Sequence, residues 1–509
     1  MKRIATSELY VGSLCLVLAL AVLIVLALAS PVNRDEDHYI APATVDPARV
    51  LYADFSHGQP PLQPYLLRAV TALFPSLDFA SLRVVIAILA AVALILVYQV
   101  QRRLGVSWRV SLAVTALMGS TYAFQFAGTV VRNDMLSTVL LTGGMLAAIK
   151  GVEGDEPRRH AGMRWCIVGV LFGLAASTKL SFAVPAVAVA LFVLVQTVRQ
   201  RLPLMALGAL AVGGIAGGLP MLYGFLAAPD SFLFNTITYH SDYAAVWHIA
   251  QGRGWMFSPM ANVAITIGGL AVGPGLFVIG YLLWQLRHRP PPTRHRSPAA
   301  LSFLNTLCVA GFVAACLPSP TSFQHVLPML PPLFVRFGLG VHRRFATGAS
   351  VSRWFQGALL VGVAIGFLHS IIVAGFDGRR TGPWSALDVA EEARWIAAWA
   401  HAEGVTGTVA TCQPRVLLGT GLHLDPWFTS GVFIFRVGPD LPPDAVERFR
   451  YFTYANFSTV LDRTMPAALI TGDSGCDPPI EVYAVGRNFT SELSPGGHYR
   501  IWLPPQDGE

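Results

Sequence analysis

Long apolar runs constrain this chain more than any other feature. They fall near residues 9–30, 82–101, 109–128, 134–150, 165–178, 181–198, 203–226, 261–286, 299–317, 326–341 and 354–376. About 20 apolar residues cross a bilayer, and about 17 suffice. In lipid every backbone N–H and C=O must be satisfied within the protein, so such runs are predicted to be helices. Only 13% of the 509 residues are charged, against about 25% in soluble domains. The pattern predicts an all-α polytopic membrane protein of about eleven spans and excludes a soluble fold.

Basic residues set the expected orientation. One set of loops holds Lys2, Arg3, Arg102, Arg103, Lys150, Arg158, Arg159, Arg164, Arg199 and Arg201, then Arg287, Arg289, Arg294, Arg296, Arg343, Arg344 and Arg353. The opposite loops hold Arg34, Arg49, Arg68, Arg132, Lys179 and Arg253. The positive-inside rule puts the first set in the cytoplasm, and the N-terminus with it. The net charge of +7 is spread over these short loops, so no nucleic-acid partner is expected. Met1-Lys2-Arg3 and Ala27-Leu28-Ala29 resemble a signal peptide, but the run between them is longer than a signal core of about 7–15 residues. It is expected to stay as the first span, in a plasma or inner membrane.

An odd number of spans leaves residues 377–509 outside the cytoplasm. Their charge and proline content mark a separate small α/β domain after a membrane domain of residues 1–376. Residues 386–403 have helical apolar spacing. Thr408–Thr411, Ala467–Thr471 and Ile480–Val485 read as strands. His288–Pro298 reads as a basic, proline-rich loop. Cys15, Cys166, Cys308 and Cys316 lie in spans, whereas Cys412 and Cys476 each follow an expected strand. That exported compartment permits a disulfide between these two.

Residues suited to chemistry gather in the loops opposite the basic ones. The first such loop, about 31–81, is long, as functional loops often are. It carries Asp35, Glu36, Asp37 and Tyr39, then Asp54, His57, Gln59-Pro60-Pro61-Leu62 and Arg68. A carboxylate at a membrane face can accept a proton from a hydroxyl or hold it for attack. Arg132-Asn133-Asp134 opens the fourth span, either as a helix cap or as a site wall. Lys179 breaks the charge bias, a position that suits a lipid phosphate or simple snorkelling. The loop 229–259 offers Phe232, Asn235, Tyr239, His240, Asp242, Tyr243, Trp247, His248 and Arg253, of which His240 and Arg253 are the chosen candidates. Ser322-Phe-Gln-His325 precedes Leu327-Pro328 and places a histidine on the same side. No zinc spacing and no glycine-rich phosphate loop occurs in the sequence.

These elements together resemble the GT-C membrane glycosyltransferases, in particular the bacterial branch similar to protein O-mannosyltransferases and aminoarabinose transferases. Asp35-Glu36-x-x-Tyr39 resembles the Asp-Glu pair of the first outer loop. Gln59-Pro60-Pro61-Leu62 resembles a His-Pro-Pro-Leu element with Gln in place of His. Arg132-x-Asp134, Thr178-Lys179 and His325-Val-Leu-Pro resemble the later elements. The resemblance implies a polyprenyl-phosphate sugar donor, inversion at the anomeric carbon, and a protein, glycolipid or envelope-glycan acceptor. It casts Asp35 and Glu36 as catalytic. Asp37, Tyr39, His57, Gln59, Arg132, Asp134, Lys179, His240, Arg253 and His325 would bind substrate, with Lys179 against the leaving phosphate. Some relatives use a divalent metal and others do not, and three adjacent acids leave that open.

Two other classes compete. A transporter or lipid-linked-sugar flippase predicts repeated halves and charges near the midplane, and the sequence shows neither. A non-catalytic envelope scaffold predicts that function survives loss of Asp35.

Overall fold

The computed structural model describes residues 6–153, 158–287, 298–346, 352–381, 385–472 and 474–505. The first helices are α1 (Thr6–Ala29), α2 (Asp35–Thr44), α3 (Leu62–Leu73), α4 (Phe79–Arg103), α5 (Trp108–Gly119) and α6 (Tyr122–Ala127). Then come α7 (Asp134–Glu153), α8 (Arg158–Thr178), α9 (Ala183–Val198), α10 (Leu204–Ala227), α11 (Pro229–Leu233) and α12 (Ala244–Ala250). The bundle ends with α13 (Pro259–Ala271), α14 (Gly275–Arg287), α15 (Pro298–Cys316), α16 (Leu330–Ala346) and α17 (Arg353–Thr381).

Among the described residues, eight helices are long and apolar enough to cross a membrane: α1, α4, α7, α8, α9 with its preceding turn, α10, α15 and α17. Exposed Leu14, Val17, Leu18 and Val25 on α1 present the apolar surface that lipid requires. Three expected spans differ from single straight helices. Residues 261–286 form α13 and α14, bent by 99° at the break between them. Residues 109–128 divide into α5 and α6, where the Ser120 and Thr121 hydroxyls donate to the carbonyls of Leu117 and Met118. Such local bonds compete with the helix ladder. Residues 326–341 begin in a 3-10 turn, and α16 carries Arg336 well inside its length. The basic loop at 288–297 lies outside the described residues.

The crossing of α8 and α10 is built from glycine. Gly169 and Gly173 on α8 face Gly213 and Gly217 on α10. A Cβ on Gly213 would lie 2.0 Å from the Cys166 carbonyl oxygen, and one on Gly169 would lie 2.2 Å from that of Leu210. Small residues four apart let backbones meet in lipid, where packing replaces the hydrophobic effect. The Ser177 hydroxyl donates to the Gly217 carbonyl at 2.8 Å. This fixes the end of α8 from which Lys179 projects.

The C-terminal part begins with α18 (Ala386–Ala402), opened by a capping box between Ser385 and Asp388. Its strands are β1 (Thr408–Ala410), β2 (His423–Leu424), β3 (Ala468–Thr471), β4 (Thr490–Leu493) and β5 (Arg500–Leu503), in the order β2-β1-β3-β5-β4. β1 runs parallel to β2 and β3, and β5 runs antiparallel to β3 and β4. The expected strand at Ile480–Val485 is instead helical, within Asp477–Gly486. Pro478 and Pro479 explain the difference, because prolines at a first helical turn are pre-set for helix and lose no hydrogen bond. A disulfide joins Cys412, just after β1, to Cys476.

Candidate functional site

α2 organises the site. Asn33 accepts the Asp35 N–H at 2.9 Å and starts the helix, and three acids occupy its first turn, where the helix dipole favours negative charge. Successive helical positions turn by about 100°, so three consecutive carboxylates face three different walls.

Glu36 faces inward and is fully buried. It accepts from Arg83 Nε at 3.0 Å, from the Val131 N–H at 2.7 Å and from the Asn33 N–H at 2.9 Å. Arg83 also donates to the carbonyls of Ala27, Ser30 and Pro31, at the open end of α1. Glu36 therefore staples α1, α2 and α4 together. It does not line the cavity beside Asp35, and its hydrogen bonds give it a structural role, where the sequence reading casts it as catalytic. Asp37 turns toward the C-terminal part, pairs with buried Arg415 and does not line the cavity, where the sequence reading has it bind substrate. Asp35 alone opens to the site, with 44% of its side chain exposed, and it bonds Arg132 Nη1 at 2.5 Å. The three carboxylates answer three different arginines and do not converge into a shared metal cradle.

Beside Asp35 lies a cavity of about 710 Å³. Of the sequence candidates, Asp35, Tyr39, Gln59, Arg132, Lys179, His240 and His325 line it. Arg132 bridges Asp35 to Asp134, reaching the latter at 3.2 Å, and its guanidinium lies 5.0 Å from the Tyr39 ring centre. Asp134 stands behind the wall and pairs with Lys179. It anchors the two cations and is not itself on the cavity lining. Asn133 donates to the Gln59 side chain at 3.0 Å and to the Thr178 carbonyl at 2.9 Å. The Gln59-Pro-Pro element, the Arg132 turn and the Lys179 turn are thereby tied together.

Burial holds His325 well below the usual imidazole range, and nearby Lys179 adds to the effect. Its Nδ1 accepts from the Ser322 N–H at 3.2 Å. The neutral ring therefore carries its proton on Nε2, as a donor. His240 bonds the Gly58 carbonyl at 2.7 Å through Nε2, and burial lowers it too.

Two candidates stand apart. His57 is fully buried and stacks on His38, with ring centres 4.6 Å apart. It is a backing residue. Arg253 is exposed and off the cavity wall. Arg68 and Asp54, also prominent in the first loop, are structural: Arg68 donates to the carbonyls of Asp46, Pro47 and Arg49, and Asp54 accepts the Val50 N–H.

Sequence reasoning missed several wall residues. His38 lies one helical turn from Asp35, a spacing that could have revealed it. Burial brings it down to about 4, against the pull of Asp35. Ser430, Phe433, Arg436 and Tyr451 come from the C-terminal part, which completes the cavity beside Tyr239 and Trp247. Nothing local in the sequence marks them.

Residues 58–223 match a family model described as dolichyl-phosphate-mannose-protein mannosyltransferase. No curated protein sequence matches the chain. Among solved structures, ArnT from Cupriavidus metallidurans bound to undecaprenyl phosphate is 14% identical with TM-score 0.56, over 99% of this chain and 100% of that one. Its apo form is 13% identical with TM-score 0.59, over 98% and 100%. The apo oligosaccharyltransferase of Archaeoglobus fulgidus is 12% identical with TM-score 0.51, over 97% and 75%. At such identities the shared property is the fold. The chain is a multi-span membrane protein of the GT-C fold, and its residues 58–223 match the dolichyl-phosphate-mannose-protein mannosyltransferase model.

Proposed function

We propose that the protein is a glycosyltransferase that moves a sugar from a polyprenyl phosphate to an acceptor hydroxyl or phosphate. One observation carries the reading. The cavity beside Asp35 meets, at Val184, an apolar groove of about 530 Å³ between α9 and α15, lined by Val184, Val187, Leu191, Val309 and Val313 among others. A chamber that carries Asp35, Arg132, Lys179 and Arg436, joined to an apolar groove, suits a substrate with a charged head and a hydrocarbon tail. The family match and the ArnT structure with undecaprenyl phosphate support the same donor class.

In this reading the acceptor oxygen attacks the anomeric carbon, and the sugar–phosphate bond breaks with inversion. Asp35 orients the acceptor and takes a hydroxyl proton, while Arg132 holds its carboxylate in place. Negative charge grows on the departing phosphate, where fixed donors lower the barrier most. Lys179 and the His325 Nε2–H are placed to serve there. Glu36 and Asp37 hold α2 in position. The sugar is a hexose or pentose, and the acceptor is a protein, glycolipid or envelope glycan. Basic-loop asymmetry supports a plasma or inner membrane with the site on the extracytoplasmic side. The charges collect at one end of the bundle rather than at midplane, which disfavours a transporter.

The test is purified protein in nanodiscs with radiolabelled polyprenyl-phosphate sugars and envelope extract, wild type beside Asp35→Asn. Label transferred by wild type alone supports the assignment. Intact donors with folded wild type refute it.

A further inference from the structure

The cavity wall holds three cations among the described residues: Arg132, Lys179 and Arg436. Two are already answered by carboxylates, Arg132 by Asp35 and Asp134, and Lys179 by Asp134. Lys179 therefore meets a bound phosphate with its charge partly offset by Asp134. Arg436 is different. It is half-buried, and no carboxylate or hydrogen-bond acceptor among the described residues pairs with it.

Two aromatic rings hold the Arg436 side chain. Its guanidinium carbon lies 4.3 Å from the Trp247 ring centre and 4.4 Å from that of Phe433. Cation–π contacts of this kind stabilise the charge without consuming its N–H groups. A guanidinium carries five donors in a planar fork that matches phosphate oxygens two at a time. The charged and titratable groups that act on it include Tyr239, Asp35, Arg253, Arg34 and His248. Asp35 thus acts on this cation as well as on Arg132 and Lys179. Desolvating an unpaired cation is costly, so a site that keeps one suits an anionic ligand.

We infer that Arg436, stacked between Trp247 and Phe433, binds a substrate phosphate group in this cavity. The inference rests on the glycosyltransferase reading. The phosphate can belong to the lipid donor or to the acceptor. In either case the C-terminal part supplies a binding residue as well as a wall.

The experiment uses full-length protein in nanodiscs. Two probes are titrated into wild type, R436Q and R436K: undecaprenyl phosphate, and glucose 1-phosphate with undecaprenyl phosphate already bound. Thermal unfolding midpoints are recorded for each protein. Loss of a charge-assisted hydrogen-bond pair predicts a fall in affinity of roughly tenfold or more in R436Q, with R436K recovering part. A fall for undecaprenyl phosphate assigns Arg436 to the donor, and a fall for glucose 1-phosphate alone assigns it to the acceptor. Both affinities within twofold of wild type overturn the inference. If R436Q loses its fold, R436K decides, because unchanged affinity there overturns the planar-fork contact. Wild type that binds neither probe overturns the function reading itself.

Discussion

The Arg415 guanidinium meets the Asp37 carboxylate across 378 positions of sequence, with both side chains buried. The Arg415 N–H also points to Asp37 Oδ1 at 3.4 Å, and Arg415 donates to Gln413 Oε1 at 2.7 Å. This pair ties the C-terminal part to α2, two residues from Asp35 at the cavity wall. Breaking a buried pair by removing one partner leaves an uncompensated charge and costs about 3–5 kcal/mol. Arg415→Ala is expected to lower the thermal unfolding midpoint strongly. An unchanged midpoint would mean that the pair does not hold the two parts together.

Asp35 and Glu36 are expected to separate chemistry from stability. Asp35→Asn keeps the side-chain shape, so it should leave the unfolding midpoint near wild type while lowering transfer by about 10²-fold or more. Glu36→Gln should do the reverse, because it weakens a buried pair with Arg83. Parallel transfer assays and melting curves on the two variants check this. Equal loss of transfer with equal midpoints would return a catalytic role to Glu36.

Stability is expected to fall as pH drops below neutrality. His38 is brought from the usual 6.5 down to about 4, and His57 and His325 are lowered well below that usual value, all chiefly by burial. The unfolded chain therefore binds more protons between these values, so the contribution is fully present above about 6.5 and is lost as pH falls toward 4. For His38 alone the loss by pH 5 is about 2 kcal/mol. Melting midpoints from pH 7.5 to 5 should decline in wild type and less steeply in His38→Gln. Identical slopes would rule out His38 as a contributor.

The glycine crossing of α8 and α10 predicts a sharp steric response. Gly213→Val forces its side chain onto the Cys166 carbonyl, already 2.0 Å from a bare Cβ. Overpacking of this kind costs about 1–3 kcal/mol or more. At neighbouring Gly214 a Cβ meets nothing within 4 Å, so Gly214→Ala should be tolerated. Detergent-extracted melting curves on the two variants give the comparison.

Removing Asp134 should disturb both cations. Asp134→Asn leaves Lys179 and the second edge of Arg132 without their carboxylate. A double-mutant cycle with Lys179→Met is expected to show coupling of about 0.5–3 kcal/mol. Additive effects would indicate that Lys179 does not depend on Asp134.

The sequence by itself determined the membrane-spanning architecture. Hydropathy reports directly whether a backbone can live in lipid, and that requirement is local. Of the residues that the short motifs single out, Asp35, Tyr39, Gln59, Arg132 and Lys179 lie in segments between spans and line one cavity. Tertiary structure decided which residue does what. Three adjacent acids look equivalent in sequence, but helical rotation sends Asp35 to the cavity, Glu36 to Arg83 and Asp37 to Arg415. Arg83, Arg415 and Arg436 were silent in sequence because their partners lie 47, 378 and 189 positions away, at Glu36, Asp37 and Trp247. A charge acquires its role from the partner that answers it, and only the folded chain brings such partners together.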